Sequence, residues 1–195
     1  MDAQWEAHGG YLARPAQLEG LDLLALARDA LLEDGGDPED CSLLVSAAPG
    51  GRVVRLAYDA PHTYGRQGAL WYHNHHALAV RLSERIASTV HSYVLEPDSF
   101  EEVMSYGAGR RVGGERLRYE DVQLPELDED SLEVGLDEQA FEKLKSRWPL
   151  GHLARVLGTT RDALLRLPRA PGVLLSLSSD RLGPIDAGSL ARSAS

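Results

Sequence analysis

Cys41–Ala60 reads "CSLLVSAAPGGRVVRLAYDA". Two runs rich in apolar and β-branched residues flank Pro49-Gly50-Gly51, a combination that favours a tight chain reversal. The stretch therefore predicts a β-hairpin, with strands near Ser42–Ser46 and Arg52–Tyr58. A hairpin placed between helical patterns already excludes an all-helical bundle. With a helix before it and a helix and further strands after it, the hairpin argues for a mixed α+β sheet.

Upstream, Leu21–Gly36 is rich in Leu and Ala and stops at Gly35-Gly36, as a helix with a left-handed C-cap does. The first twenty residues carry no clear period and are expected to form an arm. Downstream, His75, Leu78, Ala79, Leu82 and Ile86 recur at helical offsets, predicting a helix near 74–87 with Asn74 as its cap. "STVHSYVLE" alternates as a strand, and "GAGRRVGGERLRYEDV" reads as a hairpin loop, with a bulge, feeding a strand over Glu115–Val122. "DEQAFEKLKSRW", "PLGHLARVLG" and "TTRDALLRLP" are helical, with Pro149 in a first turn and a capping-box-like Thr159-x-x-Asp162. "GVLLSLSSD" is a candidate strand returning to the sheet.

The expected fold is α+β: a mainly antiparallel sheet covered by helices on one side, with a small C-terminal helical hairpin. Residues 1–122 form the core domain with its arm, 123–138 an acidic linker, 139–180 the helical hairpin with a returning strand, and 181–195 a flexible tail.

The 195 residues include 43% hydrophobic and 26% charged, enough for a sizeable core without staples. One cysteine, Cys41, excludes an internal disulfide and suits a reducing compartment. "MDAQWEAHGG" lacks a basic n-region and an apolar run, so no secretory signal is expected, nor any membrane span, and the expected location is cytoplasmic. The Ala/Leu/Arg/Gly-rich style is in keeping with GC-rich bacterial coding.

Net charge is −10, which disfavours broad nucleic-acid binding. The charge is also segregated. Glu120–Glu138 holds nine acidic residues and no Lys or Arg, whereas Lys143–Arg169 holds seven basic residues and one acidic.

Four places carry candidate chemistry. "WYHNHH" places His73, His75 and His76 within four positions. On a helix His75 joins the apolar stripe, and only His73 and His76 can share a metal ion. The glycines around Arg110 and Arg111 could cradle an anion, although neither the Walker nor the dinucleotide pattern is met and the glycines also suit a hairpin. "LARVLGTTRDALLRL" resembles, over about 15 residues, the core of bacterial helix-turn-helix motifs, with Thr159, Thr160, Arg161 and Arg166 on or near the recognition helix. The acidic segment, with Glu126, Asp128, Glu129, Asp130 and Glu133 interleaved with Leu and Val, suits docking on a partner whose surface is basic and partly apolar.

No nucleophile elbow is present, Glu101 and Glu102 point to opposite faces of an extended chain, and no catalytic residue or cofactor is expected. The sequence thus points to a small acidic protein acting through a protein–protein interface, as a regulator, adaptor or toxin-neutralising immunity-type protein. A metal-dependent enzyme built on His73 and His76 and a helix-turn-helix regulator are the alternatives. Self-association into a homo-oligomer stays open.

Overall fold

A computed structural model describes residues 8–14, 28–30, 32–33, 42–47, 53–59, 76–86, 88–122, 136–167 and 172–176. The fold is α+β. In chain order its elements are β1 (His8–Ala13), α1 (helical at 28–30 and 32–33), β2 (Ser42–Ala47), β3 (Val54–Asp59), α2 (His76–Ile86), β4 (Val90–Glu96), β5 (Phe100–Gly107), β6 (Arg110–Arg118), α3 (Leu136–Lys145), α4 (Pro149–Leu157), α5 (Arg161–Arg166) and β7 (Gly172–Ser176).

The seven strands form one sheet in the order β6-β5-β4-β1-β3-β2-β7, and every pairing is antiparallel. The β2–β3 hairpin pairs Ser42 with Asp59 through Ala47 with Val54, and β7 returns to pair with β2.

The expected N-terminal arm is corrected by β1, which lies in the middle of the sheet between β3 and β4. Its sequence, His8-Gly9-Gly10-Tyr11-Leu12-Ala13, lacks the alternation of a half-exposed strand because both its faces are covered. Tyr11 and Leu12 are adjacent and both fully buried. Gly10 permits a close approach that no other residue allows. Its φ is +139°, and a Cβ there would stand 2.7 Å from the Leu56 carbonyl oxygen and 3.2 Å from Arg55 Nε. Arg55 is itself fully buried beneath it, donating from Nε to the Gly9 carbonyl at 2.7 Å and to the Tyr93 hydroxyl at 3.0 Å.

Helices cover both faces of the sheet, not one. Leu12, Val53, Tyr93, Leu95 and Val103 pack against Leu150, Leu153, Ala154 and Leu157 of α4 and Leu164 and Leu165 of α5. The opposite face receives α2, whose Leu78, Ala79, Leu82, Ser83 and Ile86 are buried in the expected helical pattern. Hence β4 is buried at four successive positions, Val90 to Tyr93. Since α4 and α5 share an apolar cluster with β1, β4, β5 and Val53 just before β3, the expected C-terminal helical hairpin is built onto the core. Most of the acidic linker lies outside the described residues, and α3 begins at Leu136, inside its expected span.

Local signals explain the ends of these elements. Pro149 opens α4, and Gly158, left-handed at φ 68°, closes it. The cap of α5 falls one residue later than expected: Thr160, not Thr159, accepts from the Ala163 amide at 3.2 Å. Thr159 is held by donating its amide to the Ala154 carbonyl, and Asp162 pairs with Arg166 at 2.7 Å. Strand β6 starts at Arg110, five residues before the expected start, and ends at Arg118. The expected bulge is present as a register shift at Ser105/Tyr106, and Ala108 and Gly109, at φ 49° and 75°, make the turn.

Candidate functional site: an aromatic cleft over a buried ion pair

Three local features meet at one end of the β4–β5 pair. The turn joining these strands places Pro97 and Asp98, and the Ser99 carbonyl accepts from the Tyr119 amide at 2.9 Å. That bond fixes the 3-10 turn Tyr119–Asp121, which follows β6. Trp148, the residue preceding Pro149 in α4, is extended and brings its indole beside Tyr119. Helix α3 supplies Phe141 and Lys145 from across the opening.

These groups line a cleft of about 470 Å³, together with Leu95, Val122, Arg161 and Leu165. The Trp148 ring sits 5.1 Å from Tyr119 and 5.9 Å from Phe141, the latter edge to face at 89°. Two cations lie against the same rings: Lys145 Nζ is 4.2 Å from the Phe141 centroid and Arg161 Cζ is 5.5 Å from that of Trp148. Phe141 is 40% exposed at the rim.

Beneath the cleft, Arg161 of α5 reaches Glu101 of β5, Nη2 to Oε2, at 3.0 Å. Glu101 has no exposure, and the Arg161 side chain is 18% exposed. Oε1 of Glu101 and Nε of Arg161 find no hydrogen-bond partner among the described residues. Burial pushes the Glu101 carboxyl above its ordinary range, and the Arg161 guanidinium pulls it back. Burial, reinforced by the Glu101 charge, pushes the Tyr119 phenol up to about 12, so it remains neutral and able to donate a hydrogen bond at physiological pH.

A second concavity, of about 290 Å³, lies over His91, Ser105 and His152. The β4–β5 register sets His91 opposite Ser105, with Nδ1 2.8 Å from Oγ. Burial, and then the Arg14 charge, lower the His91 pKa to about 4, which keeps the imidazole neutral at physiological pH. A carboxylate behind a catalytic histidine strengthens its basicity, whereas the cation here weakens it. The contact is that of a satisfied core pair.

Of the places singled out from sequence, those with described residues lie apart from one another. His76 opens α2, and its Nδ1 lies 3.0 Å from the Tyr106 hydroxyl; His73 lies outside the described residues. No group of three or more His, Cys, Asp or Glu able to hold a metal occurs among the described residues. Arg110 and Arg111 are exposed at the start of β6, with Arg111 Nε 3.4 Å from the Gly113 carbonyl. The Gly109 amide, which an anion nest would need, instead donates to Ser83 Oγ at 3.0 Å. Glu126, Asp128, Glu129, Asp130 and Glu133 lie outside the described residues, as does Cys41.

In the helix-turn-helix segment, α5 spans six residues, Leu164 and Leu165 are buried, and Arg161 turns inward to Glu101. Glu101 and Glu102 do take opposite faces. Glu101 faces α5, and Glu102 lies 3.7 Å from Arg116. The cleft residues Tyr119, Phe141 and Trp148 were not marked by sequence reasoning. The one available signal was the Trp148-Pro149 step, an aromatic held extended ahead of a helix.

Comparison with protein-family models, curated proteins and solved structures finds no match for this chain. Among the described residues no helix is long and apolar enough to cross a membrane.

Proposed function

We propose that this chain acts through a protein–protein interface, as a regulator, adaptor or immunity-type protein, and that the aromatic cleft is a point of partner engagement. The observation that carries this reading is the cleft's composition. Trp, Tyr and Arg are the residues most enriched at interface hot spots, and Trp148, Tyr119 and Arg161 converge there with Phe141 open at the rim. The rings are held against one another and against the helices, so little side-chain freedom remains to be lost on binding. The buried Glu101 carboxylate beneath the cleft is already engaged by Arg161, which leaves ring faces, the cations Lys145 and Arg161 and the rim carboxylate Asp98 as the cleft's means of recognition.

The test replaces Phe141 by a photo-crosslinking amino acid in cells that express the chain. A stoichiometric crosslinked protein that also binds the purified wild type, and fails to bind a folded Phe141→Glu variant, is the expected result. A Phe141→Glu variant that retains the partner, or crosslinks scattered over many abundant proteins, would overturn the assignment of the cleft.

A further inference from the structure

Strand β6 closes one end of the sheet, and eight of its nine positions are exposed. The strand carries four arginines, Arg110, Arg111, Arg116 and Arg118, against one acid, Glu115, in a chain whose net charge is −10. Pairing with β5 sets Arg111, Arg116 and Arg118 opposite Tyr106, Glu102 and Phe100, which places all three arginines on one face. The Arg116 guanidinium lies over the Phe100 ring at 4.1 Å and 3.7 Å from Glu102, and Arg118 lies 3.2 Å from Glu120, so both charged ends are positioned on the surface in pairs that an incoming carboxylate would share. Between Arg111 and Arg116 stand Gly113 and Gly114. A Cβ on Gly113 would meet open space, and the Gly113 carbonyl accepts only a long 3.4 Å contact from Arg111 Nε, so an approaching chain meets no bulky side chain at this position.

We infer that the outer edge of β6 is a docking edge for an acidic, extended segment of another protein, which adds to the sheet as an eighth, antiparallel strand. Among the described residues nothing pairs with that edge, and its amides and carbonyls are the complement of another strand's. Carboxylates at alternate positions of the incoming strand would stand beside Arg111, Arg116 and Arg118, where opposite charges on neighbouring strands attract. A second copy of this chain is the wrong occupant, because edge-to-edge pairing would bring two arginine-bearing strands together. A nucleic acid would meet the arginines but leave the backbone edge unused, and would face the repulsion of the overall negative charge. The inference rests on the reading above in taking the ligand to be a polypeptide. It adds a second contact surface: β6 runs directly into Tyr119, so one segment can follow the edge toward the cleft.

The experiment uses the full chain and a synthetic nine-residue peptide alternating Glu and Val, read by fluorescence anisotropy and by amide shifts of residues 110–118. Binding that weakens with salt, falls about tenfold or more in Arg116→Glu/Arg118→Glu, and disappears when alternate peptide amides are N-methylated is the expected result. Equal binding of the N-methylated peptide would reduce the effect to charge attraction and overturn strand addition. So would equal binding of a lysine–valine peptide, tighter binding of a nine-nucleotide DNA strand, a dimer of the free protein lost in the double variant, or no binding at millimolar peptide. The cleft assignment is judged separately by Phe141→Glu, whose outcome does not depend on the β6 arginines.

Discussion

Replacing Arg161 by Met removes the cation from a carboxylate that has no exposure of its own. Glu101 would then be left charged in the interior or forced to take up a proton, and either state is unfavourable. Removing one member of a buried ion pair typically costs about 3–5 kcal/mol. In a chain of this size each kcal/mol moves the melting temperature by about 2–4 °C, so a fall of roughly 6–20 °C is expected. Substituting both members, Glu101→Leu with Arg161→Met, removes the stranded charge and should recover most of the loss, because apolar pairs of similar volume often match a buried ion pair.

The pH dependence has a definite sign. Without Arg161 the folded-state Glu101 carboxyl rises further above its ordinary value of 4.5. Between that ordinary value and the raised one, the folded chain holds a proton that the unfolded chain has released, so stability falls as pH climbs through the window. The deficit of Arg161→Met relative to wild type should therefore be smaller at pH 5 than at pH 7. Urea denaturation of the wild type, the single variant and the double variant at both pH values measures it. A single-variant loss below about 1 kcal/mol, or a double variant no more stable than the single, would refute the account of Glu101 as a buried charge held by Arg161.

Gly10→Ala should destabilise the fold by about 2 kcal/mol or more, since a Cβ at φ +139° meets the Leu56 carbonyl and the Arg55 side chain; chemical denaturation checks it, and a neutral effect would contradict the packing of β1. His91, lowered to about 4 by burial and Arg14, stays neutral in the folded chain while the unfolded chain protonates near 6.5. Stability should therefore drop by about 3 kcal/mol as pH falls from 6.5 to 4, and His91→Gln should remove that slope. Imidazole resonances followed through an acid titration, with one histidine still neutral at pH 5, would identify the group directly.

Patterns of polarity made several elements legible in advance. The β2–β3 hairpin, α2 with its buried Leu78, Leu82 and Ile86, and the return of β7 all express a period or a turn that needs no knowledge of neighbours. The opposite facing of Glu101 and Glu102 followed from strand geometry alone. What escaped was whatever depends on burial from both sides. Strand β1 shows no alternation because β3 and β4 flank it and helices cover it, so the central strand of the sheet resembled an arm. The early start of β6 escaped for a related reason: Gly113 and Gly114 look like a loop until β5 supplies the hydrogen bonds that make them a strand.

The cleft was invisible in the sequence because its parts come from separate places in the chain. Tyr119 follows β6, Phe141 and Lys145 ride on α3, Trp148 precedes α4, and Arg161 begins α5. Local patterning determined the α+β class, the hairpins, the helix faces and the segregation of charge, because these depend on residues a few positions apart. Only the packing of α4 and α5 on the sheet decided that Arg161 turns inward to Glu101 and that three aromatic rings gather over the pair. A helix-turn-helix pattern and a packed αα-hairpin share their apolar spacing, so that spacing alone did not reveal the inward turn of Arg161 to Glu101.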